Sequence, residues 1–218
     1  MEKFQAWVQQ LDFTQLWEML IVVAASLLCI TFHETCHGLV AYWMGDPTAK
    51  KQGRLSLNPL RHIDIMGLVM MAVCHFGWAK PVPINPSYFK NRRVGIALVS
   101  LAGPASNFVL ALLALFLYYP LRLTSSPILT AIALMLYMTA VMSIGLGVFN
   151  LIPVPPLDGS KILLAFLPAK YEYKFAQYEQ YIQFILLILL FVGVLDRPIN
   201  FFINVVYHVL SSIVLLVF

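Results

Sequence analysis

Long apolar stretches alternate with short polar loops along most of this chain. Five stretches of this kind lie at 17–44, 94–119, 128–152, 175–195 and 199–218. A helix that crosses the hydrocarbon core of a bilayer needs about 20 mostly apolar residues. The pattern therefore predicts five spanning helices, with the alternative that residues 175–218 form one hairpin that only dips into the bilayer. Gly45-Asp46-Pro47 is expected to end the first of them, because Gly and Pro terminate helices.

The segment 47–90 has a different character. Its stretch 65–79 is apolar but short for a span, which predicts a re-entrant segment. Alternating leucines over 48–57 and alternating prolines over 78–84 favour short strands. The predicted fold is an all-α polytopic membrane protein of about five to six membrane segments, with a small membrane-associated β region on the cytoplasmic side.

Composition agrees with lipid as the solvent. The chain is 61% hydrophobic and 11% charged, whereas soluble domains are about 45–50% apolar and about 25% charged. Its length predicts a single domain over 1–218. The net charge of +4 comes from loop residues without aromatic interleaving, so no nucleic-acid partner is expected. The N-terminal residues do not resemble a cleavable signal peptide.

Basic residues predict the orientation in the membrane. The loop 45–93 and the loop 153–178 lie on the same side of the predicted spans and hold most of the lysines and arginines. The opposite side is expected to hold Lys3, Arg122 and Arg197. The positive-inside rule then places the basic loops in the cytoplasm and the N-terminus outside.

The first apolar stretch contains the sequence His33-Glu34-Thr35-Cys36-His37, which has the form H-E-x-x-H. Residues four apart on a helix share a face, so His33 and His37 can bind one metal ion together. Imidazole nitrogen is a common ligand of Zn²⁺. Glu34 follows His33 and is placed to act as a general base. Ionisable residues inside a span are costly, which disfavours a purely structural role.

Asp158 is the best candidate for a third ligand. It follows prolines at 153, 155 and 156, which break the third apolar stretch, and it precedes Gly159. A carboxylate at membrane depth is costly unless it meets a cation. A solvated loop aspartate is the less favoured alternative. The sequence thus predicts a site of two histidines and a carboxylate.

Taken together, these motifs resemble the site-2 proteases, the intramembrane zinc metalloproteases of the M50 type. The resemblance covers about residues 20–165 and is to compact prokaryotic members without PDZ or CBS domains. Its motifs are His33-Glu34-Thr35-Cys36-His37-Gly38, Gly53-Arg54-Leu55-Ser56-Leu57-Asn58-Pro59, Gly77-Trp78-Ala79-Lys80-Pro81-Val82-Pro83, Gly103-Pro104-Ala105-Ser106-Asn107, Asn150-Leu151-Ile152-Pro153 and Leu157-Asp158-Gly159.

The resemblance implies roles for particular residues. The implied zinc ligands are His33, His37 and Asp158, and the implied catalytic base and acid is Glu34. The residues implied to bind substrate or support the site are Asn150, Pro153, Gly103 and Asn107. The implied substrates are transmembrane helices of membrane-anchored regulatory proteins, cleaved at a prokaryotic cell membrane.

Two other functions explain fewer features. A non-catalytic zinc scaffold that binds client helices would need the metal but not Glu34. A metal transporter would have ligands in several spans near the midplane, whereas the candidate ligands here lie on two elements. The pattern leaves the oligomeric state open. The remaining histidines and Cys36 are expected to be structural rather than ligands.

Overall fold

The computed structural model describes residues 13–64, Gly67 and 80–218. Within these residues the chain forms seven α-helices and two 3₁₀ turns. The helices are α1 (Phe13–Trp43), α2 (Thr48–Lys51), α3 (Arg92–Leu121), α4 (Pro127–Asn150), α5 (Asp158–Phe166), α6 (Ala169–Phe191) and α7 (Asp196–Leu215). The 3₁₀ turns are Pro59–Arg61 and Pro86–Tyr88.

Four of these helices are long and apolar enough to cross a membrane. They are α1 from Trp17 onwards, α3, α4 and α7. Their outer faces carry exposed apolar side chains such as Leu113 and Phe202, which would be costly in water. The chain is therefore a multi-pass membrane protein. The predicted spans at 17–44, 94–119, 128–152 and 199–218 are confirmed by helix length and composition.

The fifth predicted span, 175–195, is not among the four. These residues belong mostly to α6, whose first half is too polar for a span. Within the predicted span this half holds Gln177, Glu179 and Gln180, and the charged residues Lys170, Glu172 and Lys174 lie just before the span. Only the second half of α6, from Ile182 to Phe191, is largely apolar.

The packing of α7 explains where α6 lies. Ile203, near the start of α7, packs in a cluster with Val148 near the end of α4. Val214, near the end of α7, packs with Ala140 in the middle of α4. Helix α7 therefore runs antiparallel to α4 and begins on the side where α4 ends. Because α5 and α6 connect those two points, the connection that contains α6 leaves from and returns to that same side.

The predicted β region is not found among the described residues, where no strand is assigned. The expected strand at 48–57 is wrong at its start, because Asp46 Oδ1 accepts a hydrogen bond from the Thr48 N–H (2.9 Å) and begins the helical turn α2. Over 80–84 the prolines lack the N–H groups that a strand ladder needs. The predicted re-entrant segment 65–79 lies outside the described residues, apart from Gly67.

Helix α3 is the centre of the fold, since it contacts α1, α4, α5 and α7. It begins after Asn91, whose Oδ1 accepts a hydrogen bond from the Val94 N–H at 3.2 Å and caps the helix. Pro104 lies inside α3 and is buried together with Gly103. The small, buried middle of α3 lets α1 approach it closely, which brings the histidines of α1 against this helix.

Candidate metal centre

His33 and His37 lie one turn apart on the face of α1 that packs against α3. Their side chains are buried, with residue exposures of 4% and 6%. The two Nε2 atoms are 3.0 Å apart, and the rings stand nearly perpendicular, at 89°. The i, i+4 spacing therefore aims two imidazole nitrogens at one point.

Asp158 reaches the same point from the start of α5. Its Oδ2 lies 3.2 Å from His33 Nε2 and 3.0 Å from His37 Nε2. Ligand atoms of these three residues all lie within 4.8 Å of one another, and all three residues are buried. The structure thus brings together the three residues that the sequence suggested as ligands.

The spacing of these atoms fits a tetrahedral zinc ion. Zn–N and Zn–O bonds of about 2.0–2.2 Å at tetrahedral angles put neighbouring ligand atoms about 3.3 Å apart. The observed separations of 3.0–3.2 Å among the three atoms are close to that value. Three protein ligands leave a fourth position open, as in catalytic rather than structural zinc sites.

The hydrogen bond at Nδ1 of His37 fixes which nitrogen of that ring carries the proton. Its Nδ1 lies 2.6 Å from the carbonyl oxygen of Val99 on α3. A carbonyl can only accept, so Nδ1 carries the proton and neutral His37 presents a lone pair at Nε2. That lone pair faces the Asp158 carboxylate at 3.0 Å. A neutral imidazole and a carboxylate both present lone pairs at this distance, so the pair needs a proton or a metal cation between its two atoms.

The side chain behind His33 is Asn107 of α3. It is fully buried, and its Nδ2 lies 3.0 Å from His33 Nδ1, while its Oδ1 has no partner among the described residues. Its backbone carbonyl accepts a hydrogen bond from Ser143 Oγ at 2.9 Å, which ties this residue to α4. Partners of this kind orient metal-binding histidines in other proteins.

Asp158 is held in its ionised form. Burial acts to raise the pKa of this carboxyl, but contacts with both histidines and the nearby charge of Lys161 outweigh burial and lower the pKa well below its usual range. Lys161 Nζ lies 3.3 Å from Asp158 Oδ1. The position of Asp158 in the first turn of α5 also favours the anion, because the N-terminus of a helix is electropositive.

Glu34 points into the same region and is partly buried. Its Oε2 accepts a hydrogen bond from the backbone N–H of Val82 at 2.9 Å. The sequence pattern suggested the position of Glu34 but not this partner, because a backbone donor leaves no direct trace in a sequence. The arrangement Pro81-Val82-Pro83 was the available hint, since it isolates a single N–H.

Two glycines permit the close approach of backbone and side chains at this site. A Cβ atom on Gly103 would lie 2.5 Å from His33 Cε1 and 2.5 Å from His37 Nε2. A Cβ atom on Gly159 would lie 2.3 Å from the carbonyl oxygen of Leu151. Gly103, which the resemblance implied to bind substrate or support the site, lies close to the first helix. Gly159 was quoted only as part of a motif, yet it lets α5 turn back against the end of α4.

A cavity of about 540 Å³ opens beside the three buried residues. Its lining combines Glu34 and Asn150 with apolar residues such as Ile84 and Leu164. Charged side chains, among them Lys161, complete the lining. The Nδ2 of Asn150 also donates a hydrogen bond to the carbonyl of Leu146, at 2.9 Å. The cavity is large enough for water and several residues of an extended peptide.

Pro153 is exposed on the loop between α4 and α5 and does not line the cavity. The prediction that it binds substrate or supports the site has no contact behind it in this structure. Its position still fits a role in ending α4 before Asp158, since proline cannot continue a helix.

Comparison with known proteins gives this site a context. The family described as "Peptidase family M50" matches residues 120–193. The "Putative zinc metalloprotease YwhC" of Bacillus subtilis is 40% identical over 172 residues, which cover 77% of this chain and 78% of the relative. The chain belongs to peptidase family M50. This M50 peptidase is a zinc metalloprotease, and the resemblance found in the sequence is confirmed.

Two further relatives of this M50 peptidase are more distant. The "Putative zinc metalloprotease Rip2" of Mycobacterium tuberculosis is 31% identical over 206 residues, covering 92% of this chain and 76% of the relative. The "Zinc metalloprotease MJ0392" of Methanocaldococcus jannaschii is 26% identical over 159 residues, covering 72% of this chain and 37% of the relative. No solved structure matches the chain.

Proposed function

We propose that this M50 peptidase hydrolyses peptide bonds in or near the transmembrane helices of membrane-anchored proteins, as in regulated intramembrane proteolysis. The observation that carries the proposal is the convergence of His33, His37 and Asp158, whose ligand atoms lie within 4.8 Å of one another. Glu34 is adjacent in sequence to the first of them. The site belongs to helices whose outer faces are apolar, so substrates are expected to share the bilayer.

The mechanism assigns each residue a task. His33, His37 and Asp158 would hold a zinc ion, which would supply Lewis acidity and lower the pKa of a bound water towards about 7. The Val99 carbonyl and Asn107 orient the two imidazoles from behind. Glu34 takes a proton as general base and returns it to the leaving amine as general acid.

The substrate is expected to enter the cavity in an extended form. A helical peptide bond resists attack because its carbonyl is hydrogen-bonded within the helix. The cavity of about 540 Å³ has room for an unwound stretch. Asn150 lines it and is the residue we assign to substrate contact. Gly103 and Asn107 are assigned to support of the histidines.

The orientation follows from charge. We propose that the loops between α1 and α3 and between α4 and α7 face the cytoplasm of a prokaryotic cell, with residues before α1 outside. Because α7 begins on the side where α4 ends, Arg197 joins these basic loops. Every lysine and arginine in the described part of the chain then lies on the cytoplasmic side, except Arg122. His37 lies six residues before the end of α1, roughly 10 Å from that side at about 1.5 Å per residue.

The test is the substitution Glu34→Gln in protein reconstituted into liposomes with a panel of single-span test proteins. Cleavage is expected to fall by about 10²- to 10⁴-fold, because the amide cannot accept the proton. Zinc content measured by atomic absorption is expected to match the wild type, since Glu34 is not a ligand. The matched control is Glu179→Gln on the exposed face of α6, which should cleave normally.

Two outcomes would contradict the proposal. Cleavage that survives in Glu34→Gln would exclude this residue as the base. A wild-type protein that holds zinc but cleaves no member of the panel would favour a scaffold that binds helices without cutting them.

A further inference from the structure

Residues 80–85 form a strap that is tied down at both ends. At the start, the Lys80 N–H donates to the carbonyl of His62 at 2.9 Å. At the far end, the Asn85 N–H donates to Oδ2 of Asp46 at 2.6 Å, and Asp46 is fully buried. The ends of the strap are therefore fixed to the segments that follow α1.

A single arginine holds the first turn of the strap. Arg54 Nη2 donates to the carbonyl oxygen of Lys80 at 2.6 Å and to that of Pro81 at 3.1 Å. A guanidinium is a planar, permanently charged donor that suits two neighbouring acceptors. Arg54 thus sets the position of the peptide unit that immediately precedes Val82.

The strap offers one backbone donor in its middle. Pro81 and Pro83 have no N–H, so the N–H of Val82 is the single donor between Lys80 and Ile84. That N–H donates to Glu34 Oε2 at 2.9 Å. The two prolines also restrict the backbone around Val82, which makes the strap stiff at this point.

Val82 is seated against α1 by a glycine. The valine is buried, with an exposure of 6%. A Cβ atom on Gly38 would lie 3.1 Å from Val82 Cγ1. An alanine at this position would press most tightly on the valine and also on Ala49 Cβ at 3.3 Å, so these neighbours must give by a few tenths of an ångström. Gly38 therefore allows the distance at which the Val82 N–H reaches the carboxylate.

We propose that Arg54 is a positioning residue for catalysis: it holds the Val82 N–H on Oε2 of Glu34, and this bond fixes the carboxylate so that Oε1 is the oxygen that handles the proton. The proposal rests on the role of Glu34 proposed above. A glutamate has three side-chain torsions. Catalysis needs the carboxylate in one orientation, so the reaction is slower when those torsions rotate freely. Among the described residues, Oε1 has no hydrogen-bond donor of its own.

This assignment changes what the strap can offer a substrate. A strand such as the one that the sequence predicts over 78–84 could pair with an extended substrate. The Val82 N–H is already bound to Glu34, and the carbonyls of Lys80 and Pro81 are bound to Arg54. The substitution Val82→Pro would therefore remove a partner of Glu34, and a loss of cleavage would not report on substrate pairing.

The test compares Arg54→Met with Arg61→Met in full-length protein. Arg61 is a matched control, because it also donates to a backbone carbonyl, that of Gly53, but has no contact with the strap. Steady-state cleavage is measured on the test protein that wild type cuts fastest. Arg54→Met is expected to lower kcat by about 10- to 100-fold with little change in KM, at wild-type zinc content. Arg61→Met is expected to keep wild-type kcat.

A second pair of variants tests the hydrogen bond between Val82 and Glu34 by a change on α1. Gly38→Ala should lower kcat with zinc retained, because its new methyl group displaces Val82. Gly145→Ala on α4 is the control, since its Cβ would meet only Ile203 Cδ1 at 3.8 Å, an ordinary contact.

The outcomes separate this inference from the proposed function. If Glu34→Gln abolishes cleavage while Arg54→Met keeps wild-type kcat, the positioning role is wrong and the base assignment stands. If Arg54→Met loses zinc along with activity, the arginine holds the fold rather than the base, and the positioning role is again wrong. If Glu34→Gln still cleaves, the proposed function itself fails.

Discussion

Asn107 determines which hydrogen bond Nδ1 of the His33 ring can form. A histidine that binds zinc through Nε2 carries its proton on Nδ1, and that proton needs an acceptor. The side-chain amide of Asn107 lies 3.0 Å from Nδ1. Its oxygen and nitrogen ends have nearly the same shape, and the orientation with Oδ1 towards the ring supplies the acceptor. The buried amide of Asn107 thus favours the form of His33 that binds metal.

Replacement of Asn107 by leucine tests this role. Leucine has a similar volume but no acceptor, so zinc affinity is expected to fall by about 10- to 100-fold. The measurement is competition for zinc with a chelator of known affinity. Asn204→Leu, at an exposed position of α7, is the control and should bind as the wild type does.

Asn107→Asp separates the acceptor from the volume of the side chain. An aspartate keeps an oxygen beside His33 and is expected to retain tighter zinc binding than the leucine variant. If wild type and Asn107→Leu bind zinc with equal affinity, Asn107 does not support metal binding.

At the residue scale, side chains were easier to foresee than backbone groups. The i, i+4 spacing of His33 and His37 is enough to put two imidazoles on one face of a helix. Asp158 was expected nearby because its charge needs a partner in an apolar setting. The Val99 carbonyl and the Val82 N–H could not be foreseen, because every residue has such groups and only the packing selects which ones face the site. The catalytic and ligand roles themselves stay predictions.

At the scale of elements, the meeting of α3 with α1 decides whether the histidines converge. Gly103 is the contact point, because a Cβ there would lie 2.5 Å from atoms of both imidazoles. A single methyl group at this point acts on two rings at once.

Gly103→Ala is expected to weaken zinc retention by at least about ten-fold, because both imidazoles must move. Gly145→Ala on α4 makes the same chemical change where the new methyl group makes only an ordinary contact with Ile203 Cδ1, at 3.8 Å, and should retain zinc. Both variants are to be compared for zinc content after purification from membranes, at matched protein yield. A Gly103→Ala protein with wild-type zinc content would mean that the helices can separate without cost.

The apolar pattern predicted helix bounds well where composition alone decides them. Spans expected at 94–119 and 128–152 correspond to α3 and α4 within two residues at each end. The span expected at 175–195 is not confirmed, and the direction in which a helix runs depends on its partners. The contacts of α7 with α4 show which side it starts from, and no local pattern carries that information.

At the scale of the whole molecule, an arrangement of four crossing helices would put both ends of the described chain on one side. The five-span arrangement inferred from hydrophobicity would put them on opposite sides. The two arrangements therefore differ most at the connection between α6 and α7 and at Phe218.

Reporter fusions distinguish the two arrangements. Alkaline phosphatase, which is active only outside the cytoplasm, is expected to be active after Phe218 and inactive after Gly193. Green fluorescent protein at the same positions should give the opposite pattern. A fusion after Thr124, in the α3–α4 connection, is the control and should be outside in either case. Activity of phosphatase after Gly193 together with its loss after Phe218 would restore the five-span topology.

The candidate ligands are far apart in the chain: 125 positions separate His33 from Asp158. At synthesis rates of roughly 5–20 residues per second, about 6–25 seconds pass between them at the ribosome. During that interval the first helix is already made, yet the carboxylate that completes the metal site does not exist. A newly made chain therefore cannot complete the candidate metal site until Asp158 has been added, so any activity that needs all three ligands begins only after that point.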